Sequence, residues 1–433
     1  MKSSIIGLGK LGLPFALFLA SKNQKVLCYD NNELIRADIE NKKSPYKEPF
    51  TSKYLKKYHT NIKFENNFDK LIKHSSITHL VLPTPSLKNN SFSNEYIIKS
   101  LDQISRSLLK FKNKCHIINI TSTVMPGSCS DIFTKFLESK GLKNEIDFII
   151  TYNPHFIAQG TTIYNLENPF FILIGSDSKF GKKLSIFYKK IYKDKSKISL
   201  LTTKEAEIVK ISINSYITTK VTFANLISEI CQEIKGVNVS KILNTIGKDH
   251  RIGNLYLGVG TMYSGPCFPR DNKALDFYIR KKVKYSLPKF IDKINDTQSS
   301  RIITLLKKIN KIEKLKKPTI GLFGLTYKEK TTIVDNSQSH DLIKNIRIKY
   351  KDNINTVDHN VEPEINFLKK YNLFFFKDLN HFVKKNKILI LMYPSKKFID
   401  IATKSRNKII LDCWDAIDEK KAKSKVYKLG KNF

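Results

Sequence analysis

The stretch that decides the fold is Ser3-Ser4-Ile5-Ile6-Gly7-Leu8-Gly9-Lys10-Leu11-Gly12, followed by the apolar run Leu13–Ala20, then Lys25–Tyr29 and Asp30. Ser3–Gly7 is a short apolar strand candidate running into the glycines. Leu13–Ala20 reads as a buried helix and Lys25–Tyr29 as a second strand. The glycines follow the G-x-G-x-x-G pattern, and Asp30 lies 18 residues (30 − 12) beyond the last of them. Gly7 permits a tight turn, Gly9 lets backbone approach a pyrophosphate, and Gly12 lets the helix pack close to the strand. The helix N-terminus favours phosphate charge. Asp30 would accept hydrogen bonds from a ribose diol and repel a 2′-phosphate, which favours NAD over NADP. Gly7, Leu8, Gly9, Lys10, Leu11, Gly12 and Asp30 are therefore expected to form a dinucleotide cradle. Lys2 and the apolar residues after it have the outline of a short secretory signal. Lys10 interrupts that run, however, and the glycine spacing has the better explanation.

Working outward, His79–Leu82, His116–Ile120, Phe148–Thr151 and Phe171–Ile174 read as further strands with helical stretches between several of them, as in a doubly wound sheet. Pro83-Thr84-Pro85 and Thr121-Ser122-Thr123-Val124 leave strand ends as polar loops. Ligands of such sheets sit beyond the carboxyl ends of the strands, so Thr84, Pro85, Ser122 and Thr123 are cofactor candidates. Lys204 to Lys235 contains no Gly or Pro, and Ala206, Val209, Ile213, Ile217, Val221, Ala224 and Ile227 recur at helical spacing. One long helix is predicted there, with Lys210 and Asn214 as i, i+4 neighbours on one face. From Pro318 the pattern restarts. Thr319–Phe323 enters Gly324, a helix follows from Ser337, and Asn355–Val357, Ile388–Met392 and Lys408–Asp412 read as strands. The expected fold is α/β: a Rossmann-like NAD domain over 1–203, a central long helix with dimerisation and active-site segments over 204–306, and a second, smaller Rossmann-like α/β domain over 307–433.

The chain has 433 residues, with 76 Lys+Arg against 39 Asp+Glu and a net charge of +37. Charge of that size invites a nucleic-acid reading. The lysines are spread along the whole chain, without a single basic block or an aromatic-plus-basic platform, so no nucleic-acid partner is expected. The field would still favour anionic small ligands. A hydrophobic content of 41% excludes wholesale disorder. No apolar run of about 18 residues exists, so no membrane association is expected. Six scattered cysteines form no CxxC pair and fit a reducing, cytoplasmic setting. No metal site is expected.

One cysteine stands apart. Asp249-His250-Arg251-Ile252-Gly253 precedes a glycine-rich stretch that ends in Ser264-Gly265-Pro266-Cys267-Phe268-Pro269-Arg270-Asp271. Pro269 suits the start of a helix, which would put Cys267 at a helix N-terminus where the dipole favours a thiolate. An NAD domain with a nucleophilic cysteine suggests oxidation of an alcohol to an aldehyde, thiolate addition, a second hydride loss to a thioester, and hydrolysis to an acid. Such a site needs a base, groups that hold oxyanion charge, and a means of activating water.

With these motifs in view, the chain resembles the UDP-glucose/GDP-mannose dehydrogenase family over nearly its whole length. The resemblance rests on GLGKLG at 7–12, PTP at 83–85, STVMPG at 122–127, NPHFIAQGT at 153–161, EIVKISIN at 207–214, DHRIG at 249–253, SGPCFPRD at 264–271 and FGLTYKEKT at 323–331. It implies a four-electron oxidation of C6 in a nucleotide hexose, with Cys267 as nucleophile. Lys210 would help the first oxidation and, with Asn214, stabilise the oxyanion. Asp271 would support Lys210 and water, and Thr123 would lie near the nicotinamide. Arg251 would cross a homodimer interface to the partner's sugar site, with the long helix carrying the dimer contact. Lys328 would bind substrate phosphate. Phe156, Ile157, Tyr256, Gly260, Tyr263, Gly265 and Phe268 would line the substrate site, and Gln159 would lie by the cofactor. The product would serve polysaccharide biosynthesis.

The chain departs from the family pattern in places. His155 stands where the family usually has the glutamate tied to thioester hydrolysis, and Gln159 where another acid often follows. Three options stay open. His155 is the base; or Asp271 and Thr123 activate water alone; or the outcome is an aldehyde or acyl transfer to an amine. Asp335 replaces an arginine expected near the cofactor phosphates, and the arginine usual near Asp412-Cys413-Trp414 is missing. The leading expectation is a UDP-hexose 6-dehydrogenase acting on UDP-glucose, because Phe-Ile-Ala-Gln-Gly at 156–160 is nearer the glucose/mannose branch than the N-acetylhexosamine branch. A catalytically impaired nucleotide-sugar-binding protein is the reading that intact Cys267, Lys210, Asn214 and Asp271 argue against.

Overall fold

The structure is a computed structural model. It describes residues 2–111, 115–193, 197–334, 336–350, 354–359, 361, 363 and 365–433. Asp335 therefore lies outside the described residues. The backbone divides into two compact units, Met1–Ser212 and Ile213–Phe433.

The first unit contains β1 (Ser3–Ile6), β2 (Val26–Tyr29), β3 (Ile62–Phe64), β4 (Ile77–Leu80), β5 (His116–Ile120), β6 (Phe148–Tyr152), β7 (Ile172–Gly175) and β8 (Ile198–Leu201). They form one sheet in the order β3-β2-β1-β4-β5-β6-β7-β8. Every neighbouring pair is parallel except β6 with β7. The strand order reverses between β1 and β4, the switch point at which such sheets bind ligands. Strands covered on both faces read as near-continuous apolar runs, and β1, β4, β5 and β6 are buried along their whole lengths. Their few polar side chains partner one another. The Asn119 amide meets His79 Nδ1 at 2.9 Å and accepts the Thr151 hydroxyl at 2.9 Å. The first helix, Gly12–Ser21, is buried from Gly12 to Ala20, which explains why its sequence is apolar all round.

The second unit holds β9 (Ile320–Phe323), β10 (Ile354–Val357), β11 (Phe374–Phe376), β12 (Ile388–Leu391), β13 (Ile409–Asp412) and β14 (Lys425–Lys428). This sheet is parallel throughout, in the order β11-β10-β9-β12-β13-β14. The long helix, Thr203–Glu233, begins in the first unit and continues into the second.

Both units use the same turn. Gly7, at φ +95°, donates its N–H to Tyr29 at 2.8 Å, and Gly324, at φ +102°, donates to Val357 at 2.8 Å. The next N–H donates to an acid at the end of the neighbouring strand: Leu8 to Asp30 at 2.6 Å, Leu325 to Asp358 at 2.7 Å. Most expected strands shift by a single residue at an end, and one shifts by two. The strand expected at His79–Leu82 is Ile77–Leu80, and the Leu82 N–H donates to the Ser122 hydroxyl at 2.8 Å instead of continuing the ladder. β3, β8, β11 and β14 were not expected at all.

Candidate active site

The glycine turn has the shape its sequence implies. A Cβ on Gly12 would lie 1.9 Å from the Gly7 carbonyl oxygen, and one on Gly7 would lie 2.3 Å from that of Val81. A Cβ on Gly9 would meet nothing within 4 Å. The first two glycines are thus required by the protein itself. Gly9 faces open space, the cradle an approaching pyrophosphate needs. Asp30 holds the turn through Leu8, and its Oδ1 accepts the Asn32 N–H at 2.9 Å. Lys10 is exposed and Leu11 half-buried. These residues fit a dinucleotide.

Two loops leave the same end of the sheet. The Thr84 hydroxyl donates to the Thr123 carbonyl at 2.7 Å, and the Ser122 hydroxyl donates to the Leu82 carbonyl at 2.6 Å. Pro85 is exposed. Farther along the second loop, the N–H groups of Gly127 and Cys129 donate to Glu207, which is fully buried on the long helix.

After β6, Lys210 Nζ donates to the His155 carbonyl at 3.0 Å and lies 4.5 Å from the centre of the Phe156 ring. Lys210 is 8% exposed. His155 packs edge-on against Phe15 at 4.5 Å, beside a cleft lined also by Asn153, Phe156, Ile157, Asn165 and Tyr188. Its Nδ1 is buried without a hydrogen-bond partner among the described residues. Burial first, and the Lys210 ammonium second, push its pKa down to about 3. The near-neutral basicity expected of this histidine is therefore not what its surroundings give: it is uncharged at neutral pH, and far from the pKa that best suits a general base there. Gln159 is half-buried, next to Gly160, whose N–H donates to Glu48 at 2.9 Å. Glu48 also accepts the Thr162 N–H at 2.9 Å.

In the second unit Cys267 is exposed and caps the helix Phe268–Arg280, with Pro269 in its first turn. Asp271, one turn on, is buried. It accepts the Asn214 amide at 2.7 Å and pairs with Arg270 at 3.2 Å. The next residue, Asn272, accepts the Thr218 hydroxyl at 3.1 Å and donates to Asp292 at 2.9 Å. The Tyr263 phenol also donates to Asp292. Tyr263 is 5% exposed, and through Asn272 and Asp292 it braces the cysteine helix. Tyr256 is half-exposed, at φ +62°, with Phe268 edge-on at 6.4 Å. Gly260 faces the Trp414 ring, which a Cβ would approach to 2.7 Å. Gly265, at φ +83°, faces the Tyr327 ring, with a Cβ at 2.6 Å. Lys328 is half-buried, with Nζ 5.6 Å from the Tyr327 ring centre. The Arg251 side chain is 79% exposed and pairs with Asp249 at 2.6 Å.

The sequence reading missed three acids that shape these loops: Glu48, Glu207 and Asp358. Only Asp358 had a signal, since it follows a strand as Asp30 does. No cluster of three or more metal-binding side chains occurs among the described residues.

Models of the UDP-glucose/GDP-mannose dehydrogenase family match three consecutive stretches: its NAD binding domain over 1–196, its central domain over 204–297 and its UDP binding domain over 321–419. The chain belongs to the UDP-glucose/GDP-mannose dehydrogenase family. It is thus an NAD-dependent nucleotide-sugar 6-dehydrogenase, an oxidoreductase. Among family members, the UDP-glucose 6-dehydrogenase of Rickettsia bellii is 28% identical over 351 residues, covering 80% of this chain and 78% of its own. The UDP-glucose 6-dehydrogenase TuaD of Bacillus subtilis is 28% identical over 346 residues, covering 79% and 72%. Two solved structures share the fold. A UDP-glucose dehydrogenase from Pyrobaculum islandicum has a TM-score of 0.84 at 20% identity and covers 100% of this chain and 98% of its own. A UDP-D-ManNAc dehydrogenase from Pyrococcus horikoshii has a TM-score of 0.82 at 22% identity and covers 99% of each chain.

Proposed function

We propose that the chain oxidises C6 of a UDP-hexose, UDP-glucose to UDP-glucuronate, through covalent intermediates on Cys267. The observation that carries this reading is an exposed cysteine at a helix N-terminus, one turn before a buried aspartate that is hydrogen-bonded to Asn214. NAD, held by the turn of Gly7, Gly9 and Gly12 with Asp30, supplies a hydride acceptor twice per substrate. Lys210 takes the alcohol proton. The Cys267 thiolate forms a carbon–sulfur bond to the C6 aldehyde, and Lys210 and Asn214 hold the oxyanion charge. Loss of the remaining C6 hydride gives the thioester. Water then adds to the carbonyl carbon, one of its protons passes to Asp271, and the carbon–sulfur bond breaks to release the thiolate and the carboxylic acid, which gives its proton to solvent to become the uronate. Thr123 holds the water, and neutral His155 shapes the loop beside it. Lys328 binds substrate phosphate, and the Tyr256–Gly265 segment with Phe268 borders the sugar.

The functional form is a homodimer. The long helix exposes Tyr216, Phe223, Leu226 and Ile230 as a stripe at helical spacing, which supports a partner helix against it. Arg251 is exposed enough to reach a neighbouring sugar site. The setting is cytoplasmic. The cytosol keeps a free thiol such as Cys267 reduced, which supports that setting.

A second reading keeps the substrate and changes the product, because His155 is a weak replacement for a carboxylate base. Initial rates and product masses with UDP-glucose, UDP-N-acetylglucosamine and GDP-mannose test both. Fastest turnover of UDP-glucose to a free uronate supports the first reading. An aldehyde product, or a hexuronyl group retained on Cys267, supports the second.

A further inference from the structure

Glu207 takes no part in the chemistry above, yet it is a fully buried carboxylate one turn before Lys210 on the long helix. Its Oε2 accepts the Gly127 N–H at 2.6 Å and its Oε1 the Cys129 N–H at 2.8 Å. These donors open the helical segment Ser128–Thr134, where Gly127 turns the chain at φ +92° and N–H groups would otherwise lack acceptors. The same loop carries Thr123. Its upstream half is held by Thr84 and by the Ser122 hydroxyl. One turn on, Lys210 donates to the His155 carbonyl. The helix thus grips the loop after β5 through Glu207 and the loop after β6 through Lys210.

We propose that Glu207 is a positioning residue, whose ionised carboxylate sets the loop bearing Thr123 relative to the Lys210 amine and thereby controls turnover. This rests on the reading of Thr123 and Lys210 as catalytic. An ionised carboxylate accepts strongly on both oxygens; protonation weakens one acceptor and adds a buried O–H that needs a partner, and an amide points a donor at a donor. Burial raises the Glu207 pKa to about 7, against the hydrogen bonds from Cys129 and Gly127 and with help from Asp177. The other charged or titratable groups facing it are the Cys129 thiol, itself pushed far above its usual range, and Lys204, paired with Asp131 at 3.0 Å. Turnover is therefore lost as pH falls through neutrality. His155 cannot produce that limb, because its proton binds only at about pH 3.

The test compares wild type, E207Q, T123A and the double variant from pH 6 to 9. E207Q is expected to lower kcat at pH 8 by about tenfold while leaving KM for NAD and for the sugar nucleotide within about threefold, and to make the ratio of kcat at pH 8 to kcat at pH 6 smaller than in wild type. The double variant is expected to be no slower than T123A alone, since Glu207 acts through Thr123. A wild-type kcat in E207Q, an unchanged ratio of kcat at pH 8 to kcat at pH 6, or additive losses would overturn the proposal. Amide-exchange protection of Gly127 and Cys129 in the wild-type protein repeats the test without a substitution and without turnover. Protection is expected to fall below neutral pH, and flat protection from pH 6 to 8 overturns the proposal even if E207Q fails to fold. A wild-type protein that turns over no nucleotide sugar refutes the functional reading separately.

Discussion

Gly9→Ala and Gly12→Ala add the same methyl group to one turn and should do opposite things. At Gly12 the new Cβ would sit 1.9 Å from a backbone oxygen, against a tolerable approach of about 3.0 Å, so helix and turn must part by roughly 1 Å. Overpacking of this kind, against backbone rather than a flexible side chain, costs about 1–3 kcal/mol. Gly12→Ala should therefore lower the melting temperature by several degrees and weaken NAD by displacing the turn. At Gly9 the methyl group meets no protein atom. Replacing glycine where the backbone tolerates it stabilises by about 0.4–1 kcal/mol through the unfolded chain. Gly9→Ala should thus melt at or slightly above wild type, yet bind NAD at least tenfold more weakly, a loss of about 1.4 kcal/mol, because the methyl group fills the space of the pyrophosphate. Thermal denaturation without ligand and titration of NAD into each variant measure the two effects separately. If Gly9→Ala binds NAD within twofold of wild type, the cradle is not at this turn.

Other expectations follow from the same geometry. Cys267→Ser should keep nucleotide-sugar binding, abolish uronate formation and yield at most one NADH per sugar, as read by product mass spectrometry. Asp271→Asn places an amide against the Asn214 amide in a buried pair and should lower kcat by about a hundredfold or more. Mixing inactive Arg251→Ala with inactive Cys267→Ser should restore part of the activity through mixed dimers with one intact site, and no restoration on mixing refutes the shared site. Burial lowers the pKa of His79 to about 3 and of His116 to about 4, so the unfolded chain binds their protons first as pH falls below 6.5. Their contribution to stability is complete above that pH and falls by about 2 kcal/mol each by pH 5. Glu207, raised to about 7, acts in the opposite sense between 7 and 4.5. Denaturant titrations should show stability falling from pH 7 to 5, and falling more steeply in E207Q.

The core of this fold is local, and the sequence carries it openly. Gly7, Gly9, Gly12 and Asp30 lie within one strand–helix–strand unit, and the fully buried strands are rich in isoleucine with a few polar residues that pair inside the sheet. β3, β8, β11 and β14 were hidden because they are only three or four residues long and most of their residues are exposed or partly buried, with polar residues among them in β3, β8 and β14. Such strands join the sheet through backbone hydrogen bonds, which composition does not record. The reversed direction of β7 is a matter of long-range pairing and was equally invisible. At the candidate site, Cys267 and Asp271 stood out because glycine and proline surround them. Glu207 did not, since an acid near the start of a helix reads as an ordinary solvated charge. His155 carried a signal of its identity but not of its basicity, which is set by Phe15 and Lys210, 140 and 55 residues away in sequence. The contact of Tyr263 with Asp292 was not legible, because nothing local announces that aspartate as its partner.

The most direct test of the central claim is the yield of NADH from a limiting, known amount of UDP-glucose with excess NAD, with the product identified by mass. Two NADH per sugar and free UDP-glucuronate are predicted. One NADH per sugar with an aldehyde product, or no NADH from UDP-glucose at all, would contradict the account.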